Sequence, residues 1–127
     1  MSKGRLAASA ALAVVCLATT ARAGFKYSSF SVVVDQNARY AFGSLGATRN
    51  NAGTQEWIGC SYYGTSAGCA AWAVNGGYAA CWTSDPALAA VAARLGGDGG
   101  VSFGWDSNGN CTSIVTSSYS YYDPKAP

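Results

Sequence analysis

The sequence contains no histidine, and charged residues make up only 11% of its 127 residues. Without an imidazole the chain cannot form a Ser-His-Asp or Cys-His nucleophile, and most catalytic zinc sites are excluded as well. Hydrophobic residues make up 50% of the chain, which excludes a disordered protein, because disordered chains combine low hydrophobicity with high net charge. These absences leave a globular protein of about one domain with few routes to catalysis.

The first 23 residues have the organisation of a secretory signal peptide. Lys3 and Arg5 precede an apolar run over residues 6–17, and Ala21-Arg22-Ala23 matches the small-residue pattern that signal peptidase cleaves. We therefore expect residues 1–23 to be removed and residues 24–127 to form a single secreted domain with no membrane anchor. The alanine-rich leader is typical of a bacterial protein, which predicts a periplasmic or extracellular location.

The charge of the chain changes when the leader is set aside. Residues 24–127 keep five basic and six acidic residues, a net charge of −1, although the whole chain has a pI near 8.3. The basic residues are scattered, whereas nucleic-acid binding needs a cluster that neutralises phosphates. We expect no nucleic-acid partner.

Four cysteines remain in the expected mature domain, and an even number in an exported protein indicates disulfides. Of the three possible pairings we favour Cys60–Cys69, which flanks a short loop, and Cys81–Cys111. The alternative is a zinc site made of all four thiolates, but the spacing contains no C-x2-C pair. We expect neither a metal nor a cofactor.

The dominant pattern after residue 30 is the alternation of apolar and polar residues, which is typical of strands. Asn75-Gly76 lies between two such runs and predicts a hairpin. Asp85, Pro86 and the glycines from Gly96 onward bound the one clear helical pattern, at about residues 86–95. The predicted fold class is α+β and mostly antiparallel β, with about six or seven strands in a sandwich or sheet, one short helix and two disulfides.

Aromatic residues are abundant for so small a domain, and all of them lie after residue 23. The predicted hairpin, with Asn75-Gly76-Gly77 between its two runs, is expected to place Trp72 and Cys81 on one face and Trp82 on the other. A small domain needs large side chains in its core. Five aromatic residues are therefore predicted to be core: Phe30, Phe42, Trp72, Phe103 and Trp105.

Carboxylate pairs are the remaining route to hydrolysis. Asp85 is expected to cap the helix and Asp106 to form a turn, which leaves Glu56 and Asp35 without an obvious structural role. The run Asp106–Asn110 also begins like a calcium loop but lacks the glycine and the carboxylate that such a loop needs further on. We expect a hairpin turn there and no enzymatic activity.

The aromatic residues beyond the core requirement indicate a binding surface. Alternation places Trp57 and Tyr63 on the face opposite Ile58, and Asn51 lies in a polar segment whose amides suit sugar hydroxyls. We predict a small exported, non-catalytic binding module that contacts a carbohydrate or a protein partner through Trp57, Tyr63 and Asn51. The alternatives are a structural or self-assembling surface protein that pairs through sheet edges and an inhibitor of a secreted enzyme.

Overall fold

The computed structural model describes residues 31–51, 55–119 and 121–122, so the predicted leader and Phe30 lie outside the described residues. Seven strands and two short helices occur in this part of the chain. In sequence order they are β1 (Val33–Asp35), β2 (Tyr40–Ser44), α1 (Leu45–Asn50), β3 (Trp57–Tyr62), β4 (Ala67–Trp72), β5 (Tyr78–Thr83), α2 (Pro86–Ala92), β6 (Gly100–Trp105) and β7 (Cys111–Ser117).

The strands form two antiparallel sheets. The four-stranded sheet has the order β1-β2-β6-β7, and the three-stranded sheet has the order β3-β4-β5. The sheets share one apolar core, to which β2, β6 and β7 contribute from one side and β3, β4 and β5 from the other. The predicted fold class, mostly antiparallel β with six or seven strands, is confirmed.

The core is built from one large ring and many small side chains. Phe103 is fully buried, and it is the only aromatic residue among the buried core residues that the structure describes. Ala89 and Ala92 of α2 and several alanines of the three-stranded sheet complete this core. Because methyl groups occupy so little space, α2 and the sheets can approach each other closely.

Helix α2 begins as the sequence predicts. The Asp85 carboxylate accepts a hydrogen bond of 2.8 Å from the backbone N–H of Ala87, and Pro86 occupies the first turn, where its missing N–H costs nothing. The helix ends at Ala92, and turn hydrogen bonds continue the chain to Leu95. Within the described residues, neither helix has the length and apolarity needed to cross a membrane.

Helix α1 was not predicted. The Ser44 hydroxyl accepts a hydrogen bond of 3.4 Å from the Ala47 N–H and begins a helix of only six residues. So short a helix contains less than two turns, and its sequence therefore cannot show the apolar period on which the prediction of helices depends. Its contacts with β2 and β3 hold it in place instead.

Both predicted disulfides are confirmed. Cys60 and Cys69 lie opposite each other on β3 and β4, with Cα atoms 4.0 Å apart. Cys81 and Cys111 join β5 to β7 and therefore link the two sheets. Three of the four half-cystines thus belong to the three-stranded sheet.

The register of the β4–β5 hairpin corrects the prediction for its tryptophans. Gly76 has a φ of 85° and its N–H donates to the Ala73 carbonyl, while the Ala73 N–H donates to the Gly77 carbonyl. The connection is therefore Val74-Asn75-Gly76, with a left-handed glycine as its last residue. Trp72 lies opposite Tyr78, so Trp72 and Trp82 share a face, and the prediction that they lie on opposite faces is wrong.

Two of the residues that were predicted to be core, Trp72 and Phe42, are not buried. Trp72 is exposed, and Phe42 is half-buried on the outer face of the four-stranded sheet. Ala41, its neighbour on β2, occupies the inward position instead. The prediction is confirmed for Phe103, and Trp105 packs against the core while remaining partly exposed.

Candidate functional site

The three-stranded sheet turns mostly small side chains inward, and its aromatic side chains other than Tyr62, at the end of β3, lie on the outer side. The inward residues include Ala71, Ala79 and Cys69, which are all buried. Five aromatic residues on the outer side have between 37% and 63% of their surface exposed: Trp57, Tyr63, Trp72, Tyr78 and Trp82. A soluble domain rarely leaves so many large rings exposed together unless they form an interaction site.

Three of these rings form a row across one end of the sheet. Trp57 pairs with Trp72, and Trp72 pairs with Tyr78, so the three side chains project from neighbouring positions of β3, β4 and β5. The Tyr78 ring lies 6.2 Å from the Trp57 ring and 5.9 Å from the Trp72 ring, measured between centroids. These mutual contacts hold the rings in defined orientations. We call these three residues the Trp57 row.

The other two rings lie at the opposite end of the sheet. Tyr63 begins the β3–β4 turn, in which its N–H donates to the Ser66 carbonyl and Gly64 has a φ of 88°. The Trp82 ring lies 5.4 Å from the Tyr63 ring, with an angle of 36° between their planes. We call Trp82 and Tyr63 the Trp82 pair.

A glycine allows the Trp82 ring to lie against the sheet. A Cβ atom at Gly68, the residue opposite Trp82 on β4, would lie only 3.0 Å from Cε3 of the Trp82 ring. Any larger residue at position 68 would therefore push the ring away from the sheet. The absence of a side chain at Gly68 is thus a condition for the Trp82 pair.

A shallow trough of about 430 Å³ lies on this outer face and is lined by Trp57 and Tyr63. Gly59, Ala70 and Ala80 are directly paired across the three strands, and they form its floor between the two aromatic groups. Ser61 adds a hydroxyl near the Trp82 pair. The floor carries nothing larger than a methyl group, so a ligand can approach the sheet closely there.

The described residues that line the trough are uncharged, because all of them lie between Trp57 and Ser84, where the sequence contains no charged residue. The nearest acidic residue in the sequence, Glu56, is buried. Its carboxylate accepts a hydrogen bond of 2.9 Å from the Val32 N–H and another from the Asn51 side-chain amide. The prediction that Glu56 lacks a structural role is therefore wrong. The site offers aromatic faces, indole N–H groups and hydroxyls rather than a carboxylate.

The predicted site residues fall into two groups. Trp57 and Tyr63 both line the trough, although they belong to different aromatic groups. Asn51 is not among the described residues that line it, and its side chain holds Glu56 while its N–H caps α1. The prediction missed Trp72 and Tyr78, whose exposure depends on the register of the β4–β5 hairpin.

Asp35, the other carboxylate that was considered for hydrolysis, also has a structural role. One of its oxygens accepts hydrogen bonds of 2.9 and 2.8 Å from the N–H groups of Asn37 and Ala38. These bonds stabilise the turn that connects β1 and β2. Asp35 and Glu56 therefore both serve the fold.

The predicted turn at Asp106 is confirmed and connects β6 and β7. The Asp106 carboxylate accepts hydrogen bonds from the Asn110 side chain and from the N–H groups of Asn110 and Asn108. These bonds lower the pKa of Asp106, with the Asn110 side chain as the largest cause. Gly109 has a φ of 80°, which repeats the glycine-containing turn of the β4–β5 hairpin.

A second, smaller groove lies on the outer face of the four-stranded sheet. Its volume is about 170 Å³, and Tyr40, Phe42, Ser117 and Tyr122 are among its lining residues. The Tyr122 hydroxyl lies 2.7 Å from the Ser117 hydroxyl, so the end of the described chain covers part of this groove. Partial burial, with smaller contributions from Tyr122 and Tyr119, raises the pKa of the neighbouring Tyr121 above its ordinary 10.0.

Comparison of the chain with protein-family models, with curated proteins and with solved structures finds no match.

Proposed function

We propose that this protein is an exported, non-catalytic module that binds carbohydrate through the aromatic trough. The observation that carries the proposal is the set of five exposed rings in two groups on one uncharged sheet face. Flat aromatic rings supply a large contact area with little loss of conformational entropy, because each has only two side-chain torsions. The trough has room for a ligand and no charged group that would have to lose water when the ligand binds.

Carbohydrate fits these features better than most ligands. A sugar ring presents a flat face of C–H groups and a rim of hydroxyls, so it can stack on an aromatic ring while its rim forms hydrogen bonds. Ser61 and Tyr63, which line the trough, carry hydroxyls that can form such bonds. Both disulfides fit an oxidising compartment, which agrees with export to the periplasm or the medium.

The proposal is tested by incubating the disulfide-bonded protein with insoluble polysaccharides such as cellulose, chitin and bacterial cell-wall preparations. We expect the protein to be depleted from solution by at least one of them, with no reducing sugar released. Release of reducing sugar that persists in highly purified protein would show that the protein is an enzyme and would overturn the non-catalytic part of the proposal.

A matched pair of variants locates the binding surface. Tyr78 and Tyr40 are both exposed tyrosines on outer sheet faces, but only Tyr78 belongs to the Trp57 row, where its ring contacts the Trp57 ring that lines the trough. We expect Tyr78→Ala to weaken binding about tenfold, which corresponds to roughly 1.4 kcal/mol, and Tyr40→Ala to leave binding unchanged. Equal losses in both variants would contradict the assignment of the trough.

A protein partner is the second use that such a surface could serve, and one form of it is a second copy of the chain. Sizing chromatography over a range of concentrations tests this form directly. A dimer that is abolished by Tyr78→Ala, together with no depletion by any polysaccharide, would replace the carbohydrate proposal with self-association through the trough.

A further inference from the structure

The two aromatic groups are separated along the strands. On β4 the Trp57 row is represented by Trp72. The Trp82 ring lies against Gly68, which is four residues away from Trp72 on the same strand. At a strand rise of about 3.3 Å per residue, the two groups are roughly 13 Å apart. A ligand that contacts both groups must therefore be extended and longer than one sugar ring.

The floor between the groups allows such a ligand to lie continuously on the sheet. Gly59, Ala70 and Ala80 are paired across the strands, so no long side chain interrupts the path from one aromatic group to the other. A Cβ atom built on Gly59 has no described atom within 4 Å, which means that the space above this glycine is open.

The charge of the site restricts the ligand further. No charged residue lies between Glu56 and Asp85 in the sequence. Glu56 itself is buried, and its carboxylate accepts hydrogen bonds from Val32 and Asn51. An acidic polysaccharide would find no cation in the trough to replace the water that its carboxylates lose. A neutral polysaccharide has no carboxylates, so it does not lose their bound water when it enters the trough.

We propose that the trough binds a single extended, uncharged polysaccharide chain that runs along the strands and contacts both aromatic groups at once. This inference rests on the proposed carbohydrate function and adds the class of glycan and its direction. The two groups act as linked contact points, so each raises the effective concentration of the chain at the other. Affinity therefore depends on ligand length.

Calorimetry with a ladder of neutral β-linked oligosaccharides, from a single sugar to about six units, tests this dependence. We expect the association constant to increase at least about tenfold at the length that first reaches both groups and then to change little. We also expect an oxidised, carboxylate-bearing glycan of the same length to bind more weakly than the neutral one. The ladder is built from the backbone of whichever polysaccharide depletes the protein.

Three variants separate the two contact points. Trp57→Ala and Trp82→Ala should each weaken binding of the long oligosaccharide about tenfold and abolish the step in the ladder. Gly59→Leu leaves both aromatic groups intact and fills the floor between them, so it should weaken the long ligand more than a short one. A thermal melt of each variant shows whether it has retained its fold.

The outcomes distinguish this inference from the function on which it rests. If no polysaccharide or oligosaccharide binds, the proposed function fails. If oligosaccharides bind but affinity does not depend on length, or if the acidic glycan binds more tightly, the carbohydrate function stands and the two-point neutral site is wrong. A Gly59→Leu variant that is folded and binds the long ligand normally would also overturn the inference.

Discussion

In the four-stranded sheet Phe103 lies fully buried against the core, whereas in the three-stranded sheet Trp57, Trp72 and Trp82 point to solvent and alanines fill the inward positions. Strand β6 turns its large residues inward, whereas the strands of the three-stranded sheet turn their tryptophans outward. The four-stranded sheet supplies the largest side chain of the core, Phe103, and the three-stranded sheet supplies an aromatic surface. The same types of residue thus stabilise the fold in one sheet and form the candidate site in the other.

The two sheets also differ in how they are held. A sheet that places its largest side chains in solvent gains less from apolar burial, which contributes roughly 25 cal/mol for each Å² removed from water. Three of the four half-cystines lie in this sheet, at Cys60, Cys69 and Cys81. The disulfides therefore offset the burial that the exposed aromatic residues do not provide.

The largest expected difference between the sheets appears when one ring is removed from each. Phe103→Ala should lower the free energy of unfolding by about 3–5 kcal/mol, because it leaves a cavity in the core. Trp82→Ala should lower it by less than about 1 kcal/mol, because the ring lies on the surface. Chemical denaturation measures both, and a similar loss in the two variants would contradict the burial of Phe103 and the exposure of Trp82.

Removal of the disulfides should have the next largest effect. The Cys81–Cys111 bridge closes a loop with a separation of 30 residues and the Cys60–Cys69 bridge one of 9. On the loop-entropy model, replacing each pair by alanine should lower the free energy of unfolding by about 3.7 and 2.7 kcal/mol, respectively. If neither double variant is less stable than the parent in denaturation experiments, the three-stranded sheet does not depend on its bridges.

Alanine at two glycines of the three-stranded sheet should affect stability in different ways. Gly59→Ala should raise the free energy of unfolding by about 0.4–1 kcal/mol, because it restricts the unfolded chain at a position with open space. Gly68→Ala should bring no such gain, because its Cβ would meet the Trp82 ring at 3.0 Å. The tryptophan emission spectrum should shift only in the second variant. Equal behaviour of the two variants would mean that the Trp82 ring does not lie against Gly68.

The smallest expected effect on the free energy of unfolding concerns the Asp106 turn, which connects β6 and β7 and contacts the three-stranded sheet. The Trp82 N–H donates to the Gly109 carbonyl over 3.0 Å, so the Asp106 turn holds the edge of the three-stranded sheet. Because hydrogen bonds lower the pKa of Asp106 in the folded state, its contribution to stability is fully present above the ordinary pKa of 3.8 and is lost as the pH falls through the lowered pKa.

Asp106→Asn should therefore be slightly less stable than the parent near neutral pH and equal to it in strong acid. Denaturation curves of both proteins over this pH range measure the difference. A difference that stays constant with pH would show that the ionised carboxylate of Asp106 does not stabilise the turn.

The sequence predicted much of the fold because its strongest signals are local. Asp85 and Pro86 mark the start of α2, and the alternation of residues marks the strands. The short loop between Cys60 and Cys69 favours the bridge that forms. Helix α1 was missed because six residues are too few for a recognisable period. Its position depends on contacts with β2 and β3.

The candidate site was predicted only in part. Trp57 and Tyr63 could be predicted because alternation along one strand is enough to place them on the face opposite Ile58. Trp72 and Tyr78 were not, because their exposure depends on how β4 pairs with β5. The observed pairing places Trp72, Tyr78 and Trp82 on one face, and the alternation within a single strand does not determine it. Asn51 was included for its chemistry, and the structure uses its amide to hold Glu56.

The sequence by itself determined the strand-rich class, the two disulfides, the cap of α2 and the excess of aromatic residues, since each is recorded in composition or in neighbouring residues. Only the tertiary structure decided which aromatic residues are core and which form the trough. That choice depends on the pairing of strands and on which face of each sheet meets the core. A single strand with rings on alternate positions is compatible with either orientation, and the packing of alanines against α2 selects one.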